Sequence, residues 1–254
     1  MKASKWLIVA FILCLFPVTA SAEWERTISA WDTRLPAQGK LQVSLWDGYE
    51  TWGDEGADGK SIVGTLYVNY GLTDKWSVCL APSFYRWQEH GIGSESGLSD
   101  TGLMTTYRFL DESKSGLDLA VMGSMGLPTG DEDKYLGSGN VEPAVRLLAS
   151  KTLGSIIAVA NVGARKIIDP DKGEKDFVLS ADVEGIYPLN DKLSLNGVLS
   201  GNTARWDSAD AYVDLGVGAR FTPHKQLFVT GSVYRSLTSD VNDWYFQLGV
   251  GFEF

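Results

Sequence analysis

The stretch DWYFQLGVGFEF, residues 243–254, alternates without a break. Trp244, Phe246, Leu248, Val250, Phe252 and Phe254 share one side of an extended chain, and Tyr245, Gln247, Gly249, Gly251 and Glu253 share the other. Successive side chains of a strand point to opposite faces, so this is a β-strand with one wholly apolar face. A strand of a soluble sandwich turns such a face toward a packed core. Here the opposite face mixes glycine and amide with a carboxylate, which suits a wet or hydrogen-bonded interior and leaves the oily face for lipid.

The same two-faced pattern recurs along the chain. In YVDLGVGARF, residues 212–221, Val213, Leu215, Val217, Ala219 and Phe221 oppose Tyr212, Asp214, Gly216, Gly218 and Arg220. In FVLSADVEGIY, residues 177–187, the apolar set opposes Ser180, Asp182 and Glu184. Twelve segments of this kind are predicted, at about 40–49, 61–70, 75–87, 98–109, 116–127, 140–150, 154–166, 177–187, 192–201, 210–221, 226–237 and 243–254. Most have the roughly 9–11 residues that a tilted strand needs to cross a bilayer. Turns of a few residues (YGLTDKWSV, YPLNDKLSL, FTPHKQLFV) alternate with longer loops at 50–59, 88–97, 128–139, 168–175 and 202–209. An even number of amphipathic strands with short turns on one side and long loops on the other predicts an all-β fold, a transmembrane antiparallel up-and-down β-barrel of about 12 strands over residues 40–254. Closure follows from the solvent, because unpaired edge amides and carbonyls cost several kcal/mol each in hydrocarbon. Lipocalin-like soluble barrels share the strand period.

The other end of the chain agrees. Residues 1–22, MKASKWLIVAFILCLFPVTASA, place Lys2 and Lys5 before a 13-residue apolar core and end on the small residues Ala20-Ser21-Ala22, the layout of a cleaved secretory signal peptide. Residues 23–39 are then a periplasmic or plug-like segment ahead of the barrel. Cleavage removes two bases and no acid, taking the formal charge from −10 to −12. Nucleic acid is excluded as a partner on charge. Cys79 alone remains in the mature chain, which provides no intramolecular disulfide. Bacterial outer-membrane barrels commonly finish on an apolar-alternating strand with a terminal phenylalanine that the assembly machinery recognises. Phe254, Phe252 and Trp244 are therefore predicted to form a C-terminal assembly signal, with outer-membrane lipid, lipopolysaccharide and the barrel-assembly machinery as partners.

Two motifs carry a more specific likeness. SDTGLMTTYRF at 99–109 resembles the G-x-G-D-x-x-x-x-x-K-Y-R-F strand of the outer-membrane family labelled "MetA-pathway of phenol degradation". LPTGDEDKYLGSGNVEPAVRLLASKTLG at 127–154 resembles that family's L-P-T-G-D loop and glycine-rich return strand, and DTRLPAQGKLQVSLWDGYE at 32–50 looks like its entry segment. Ser99 and Thr106 stand where the family pattern has Gly and Lys. The resemblance implies a passive outer-membrane channel for small, hydrophobic or aromatic molecules, without a cofactor.

Catalytic chemistry finds little support. The two histidines, His90 in a long loop and His224 in a short turn, fall on opposite sides of the predicted membrane and cannot join one serine. DPDKGEKD at 169–176 offers Asp169, Asp171 and Asp176 but lacks the bidentate Glu at the twelfth position of a Ca²⁺ loop, so no metal site is predicted. Alternation turns Asp100, Arg108, Asp118, Glu142, Arg146, Arg165, Asp182, Glu184, Asp214 and Arg220 toward the lumen. A tight turn at 110–115 would set Arg108 against Asp118, and one at 151–153 would set Glu142 diagonally across from Arg165. Such charges either brace a closed lumen or form a constriction with a transverse field. Two readings stand at this level: a diffusion channel for small permeants, and a closed structural or surface-interaction barrel.

Overall fold

The computed structural model describes residues 30–52, 59–90, 93–238 and 244–254. The predicted signal peptide and the acidic loop at 54–58 lie outside them. The chain forms β1 (Leu41–Trp52), β2 (Gly59–Thr73), β3 (Trp76–His90), β4 (Gly93–Leu110), β5 (Asp118–Leu127) and β6 (Glu142–Leu153). It continues through β7 (Ile156–Lys166), β8 (Phe177–Asn190), β9 (Leu193–Asn202), β10 (Tyr212–His224), β11 (Leu227–Ser236) and β12 (Trp244–Glu253). Each strand pairs antiparallel with the next, and β12 returns to β1, giving a closed twelve-stranded up-and-down barrel. The closing seam runs from Gln42↔Glu253 to Thr51↔Trp244, and the Phe254 amide donates to the Leu41 carbonyl at 2.8 Å beyond it.

Burial follows the predicted phase. Along β12, Leu248 is 66% exposed on the outside while Gln247 is 6% exposed on the inside. Leu179 and Val183 of β8, Leu215 and Val217 of β10 and Leu147 of β6 are likewise exposed, and their neighbours Glu184, Thr230 and Asn196 are buried within. The exposed surface is thus the apolar one, as a bilayer demands. Asp47 of β1 breaks this rule: it faces outward, where its carboxylate and the Phe84 ring lie together over Gly64. Aromatic residues gather toward both rims. At one rim the Trp76 indole donates to Thr105 at 2.7 Å, and at the other Arg235 sits 5.0 Å above Trp244 and Lys166 5.7 Å above Phe177. Cation-capped rings suit the membrane–water interface, with the ring in the apolar region and the charge in the wet one.

The two ends differ as expected, with two corrections. The predicted loop at 88–97 is mostly strand: β3 and β4 run on as a hairpin to His90↔Gly93. Backbone pairing continues there although the sequence no longer alternates, because the ladder is made by main-chain groups and needs no oily stripe. The 110–115 turn is a single helical turn, α1 (Glu112–Ser115), capped by the Asp111 carboxylate on the Ser113 amide and closed by Gly116 at φ 73°. It is not tight, and a bulge between Arg108 and Leu110 offsets the strands further, so the conditional Arg108–Asp118 pair does not form. Arg108 donates to the Asp74 carbonyl at 3.2 Å, and Asp118 accepts from the Glu112 amide at 2.7 Å. By contrast the β6–β7 turn is two residues, Gly154 at φ 62° and Ser155, and Glu142 does reach Arg165.

Residues 30–36 lie inside the barrel. Ala30, Asp32, Thr33 and Leu35 are almost wholly buried although they belong to no strand. The chain leaves through the short-turn rim, where Gly71 lets it pass: a Cβ on Gly71 would stand 2.5 Å from the Pro36 carbonyl oxygen and closer still to that of Ala37.

Candidate permeation pathway

At the long-loop mouth, three connections fold onto one another. The loop 128–141 is clamped by Asp100, whose carboxylate accepts from the Gly130 amide at 3.0 Å, the Ser138 amide at 2.7 Å and the Ser138 hydroxyl at 2.8 Å. Close backbone approach at Gly130 and Gly137 explains the glycines of this motif, since a Cβ on Gly130 would stand 2.5 Å from the Leu136 carbonyl oxygen. The loops 167–176 and 203–211 join it through Ile168 to Val141, Lys175 to Arg205 and Asp207 to Gly173 backbone bonds. Their centre is ionic. Arg205 donates to Glu174 at 2.5 Å and Glu142 at 2.8 Å, and Glu142 also holds Arg165 at 3.2 Å. Burial by itself would lower the Arg205 pKa, but hydrogen bonds and charge from Glu174 and Glu142 outweigh it and hold the guanidinium above its ordinary value.

Beneath the mouth, the wall of β6–β8 bears Arg146, which pairs with Asp182 at 3.0 Å and donates to Ser180 at 3.3 Å. Arg146 and Ser180 border a cavity of about 180 Å³ whose other walls include Met104, Met122 and Asn202. Trp31 of the N-terminal segment forms its floor, packed on Ala120, Met122 and Leu148 and edge-on to Tyr67 at 5.6 Å. The opposite wall, β10–β11–β12–β1, is aromatic. Tyr234 and Tyr245 pack with centroids 5.4 Å apart, and Trp46 and Phe228 do the same lower down at 5.7 Å. Each ring lies along the wall over a glycine of the neighbouring strand. A Cβ on Gly48 would stand 2.6 Å from Tyr245 Cε2, and one on Gly251 would stand 2.8 Å from Phe228 Cζ. Glycine here keeps the rings out of the lumen.

The lower lumen is filled by the segment itself. Its Ala30 amide donates to Glu184 at 3.3 Å, and Glu184, fully buried, also accepts from Asn196 at 2.5 Å. Thr33 meets Ser150 hydroxyl to hydroxyl at 2.6 Å. Asp32 and Arg34 form an ion pair within the segment, the Arg34 Nε donating at 2.6 Å. Near the rim Gln42 donates to Glu253 at 2.9 Å, and Arg220 lies 4.5 Å above the Phe228 ring.

The ten inward charges read from the sequence therefore divide by height. Arg146, Asp182 and Glu184 occupy the middle, Asp214 the aromatic wall and Arg220 the level of Phe228. Glu142 and Arg165 join the mouth network, while Asp100, Arg108 and Asp118 secure loops or turns at the rims. The sequence reading named neither Glu174 nor Arg205, which sit in unpatterned loops, nor Glu50 and Tyr234; Glu253, Tyr212 and Tyr245 fall on the inward face by alternation but are not among its site candidates.

A match to the family described as "Putative MetA-pathway of phenol degradation" spans residues 30–254. The chain belongs to this family. No curated protein matches it. Among solved structures, the COG4313 outer membrane channel from Pseudomonas putida F1 superposes with a TM-score of 0.75 at 17% identity, covering 90% of this chain and 100% of that one. The KdgM porin follows at 0.58 and 10%, over 84% and 99% of the two chains. The translocator domain of the autotransporter NalP from Neisseria meningitidis follows at 0.55 and 14%, over 85% and 88%. At these identities the likeness is one of fold. The family's two motifs meet in the structure: the LPTGD loop folds back on the Asp100 of the SDTGLMTTYRF strand.

Proposed function

We propose that this barrel is an outer-membrane diffusion channel for small neutral or amphipathic molecules, hydrophobic and aromatic ones included, and that residues 30–36 are its gate. One observation carries the reading: open space lies against both the arginine-bearing wall and the aromatic wall, and the former stops at Trp31, a side chain of a segment that belongs to no strand and meets the barrel at Glu184 and Ser150. A barrel built only for stability would pack this volume, since each unfilled methyl-sized space costs about 1 kcal/mol. The rival reading, a closed structural barrel, draws on the burial of Asp32, Thr33 and Leu35 in the lower lumen.

The two differ in whether the segment moves. Thr33 and Ser150 are close enough for Thr33→Cys with Ser150→Cys, in a Cys79→Ser background, to form a crosslink. In planar bilayers the reduced protein is expected to conduct and the oxidised protein to fall silent. Silence of the wild type, together with silence of a variant lacking residues 23–36, would establish the closed barrel instead.

A further inference from the structure

The cavity above Trp31 has a chemistry of its own. Two bases, Arg146 and Arg165, border it, and no carboxylate does among the described residues. Their acidic partners stand outside its lining: Asp182 holds Arg146 at 3.0 Å, and Glu142 holds Arg165 at 3.2 Å. Both arginines are therefore neutralised, and what the cavity offers is hydrogen-bond donors, not net charge.

The two arginines differ in how much they have left to give. Arg146 is tied down: it lies over Gly163, where a Cβ would stand 3.3 Å from its Nε, and it donates to Ser180 as well as to Asp182. Among the described residues Arg165 donates to Glu142 alone, through Nη1, so most of its guanidinium fork is uncommitted. Glu142 does not depend on that bond, because Arg205 holds its other oxygen at 2.8 Å. Arg165 can thus turn to a second acceptor without stranding a buried charge.

Across from these donors the lining is apolar, with Met104, Met122 and Trp31 packed together. The combination selects a ligand class. An ammonium group or a metal ion meets guanidinium groups and no acid. A hydrocarbon covers the methionines and leaves the Arg165 donors unanswered. A small inorganic anion takes the donors and has no use for the apolar floor. A carboxylate on a compact apolar body satisfies both sides, since the guanidinium fork matches its two oxygens and charge-assisted bonds are roughly twice as strong as neutral ones. The volume of about 180 Å³ holds one ring. We propose that this cavity is a binding subsite for small monocarboxylic acids, with the carboxylate on Arg165 and a single-ring-sized body against Met104, Met122 and Trp31. The net negative charge of the protein thins out anions near its surface, so selection here is by close contact and not by long-range field. Its value to transport rests on the channel reading above, but the binding itself does not.

Equilibrium binding separates the two. The full mature chain in detergent, assembly checked by heat-modifiable gel mobility, is titrated with benzoate and with benzamide, a neutral planar probe of the same shape. Benzoate is expected to bind about tenfold tighter. Arg165→Gln is expected to abolish that preference, and Ser124→Phe, which puts a ring into the cavity, to weaken both probes. Asp182→Asn should act in the opposite direction, tightening benzoate alone, because it leaves the Arg146 charge uncompensated at the cavity wall. Should Arg165→Gln fail to assemble, Arg165→Lys, which keeps the charge and loses the fork, carries the test and should reduce the preference. Equal binding of the two probes to wild type, an undiminished preference in the Arg165 variants, or a preference lowered by Asp182→Asn overturns the subsite. Benzoate-selective binding by a protein that never conducts would uphold the subsite and remove the channel.

Discussion

At the scale of single residues, Asp182 and Glu184 are two positions apart on one strand and have different work. Asp182 neutralises Arg146, which borders the open cavity, whereas Glu184 is buried beneath the N-terminal segment and accepts from its Ala30 amide. Asp182→Asn is expected to shift the reversal potential toward anions, since it leaves the Arg146 charge uncompensated in the pathway. Glu184→Leu should act instead on the gate, removing an anchor of the segment and raising open probability. Equal shifts of selectivity in both variants, with gating unaltered, would refute this division. Glycines give a second test. Gly216→Ala must move the Tyr234 ring or the strand, an overpacking cost of about 1–3 kcal/mol, read as a lower denaturation midpoint of the folded barrel; Gly197→Ala, with nothing within 4 Å, is the neutral control.

At the scale of elements, strand, loop and segment each have one critical attachment. The last strand closes the barrel, and Phe254 continues the seam through its amide bond to Leu41 while its ring packs edge-on against Phe252 at 4.9 Å. Deleting Phe254 is expected to lower assembled protein several-fold, measured by heat-modifiable mobility in membrane fractions, while leaving the fold of what assembles intact; unchanged levels would count against an assembly signal there. The loop 128–141 depends on Asp100, which satisfies three donors at once. Asp100→Ala should leave the barrel folded and expose this loop to protease added outside intact cells. Gly71→Val should unseat the N-terminal segment, because the colliding atoms are backbone and cannot swing aside. Higher conductance in that variant, with normal assembly, is the expected result.

For the whole molecule, the asymmetry of the two ends sets orientation. Long packed loops form one rim and short turns the other, so a cysteine at Asp171 should react with an impermeant maleimide on intact cells and one at Asn190 should not. The reverse pattern would invert the barrel. Acidic surface charge at the mouth should also depress anion entry, an effect that fades as salt shortens the Debye length from about 10 Å at 0.1 M.

The strand phase was legible in residues such as 212–221 and 244–254 because a bilayer and a wet lumen are opposite solvents, and a period of two records which face meets which. Closure and strand number follow from that alternation and from the alternating lengths of the connections. The extension of β3 and β4 to His90↔Gly93 escaped notice because its pairing is made by main-chain groups and its sequence carries no alternating pattern. Glu174 and Arg205 escaped notice for a related reason: their contacts join loops distant in sequence, and no local period encodes them. The partners of the inward charges were legible only where the connecting turn was tight, as for Glu142 and Arg165. The helical turn α1 and a bulge displaced Arg108 from Asp118. By itself, then, the sequence determined a lipid-facing barrel and the inward direction of its charges. Only the tertiary structure decided what fills that barrel, because residues 30–36 meet side chains of several strands, among them Glu184, Ser150, Tyr67 and the Ala120, Met122 and Leu148 cluster, and a chain solvated by a mixed polar and apolar lumen carries no periodic mark of where it lies.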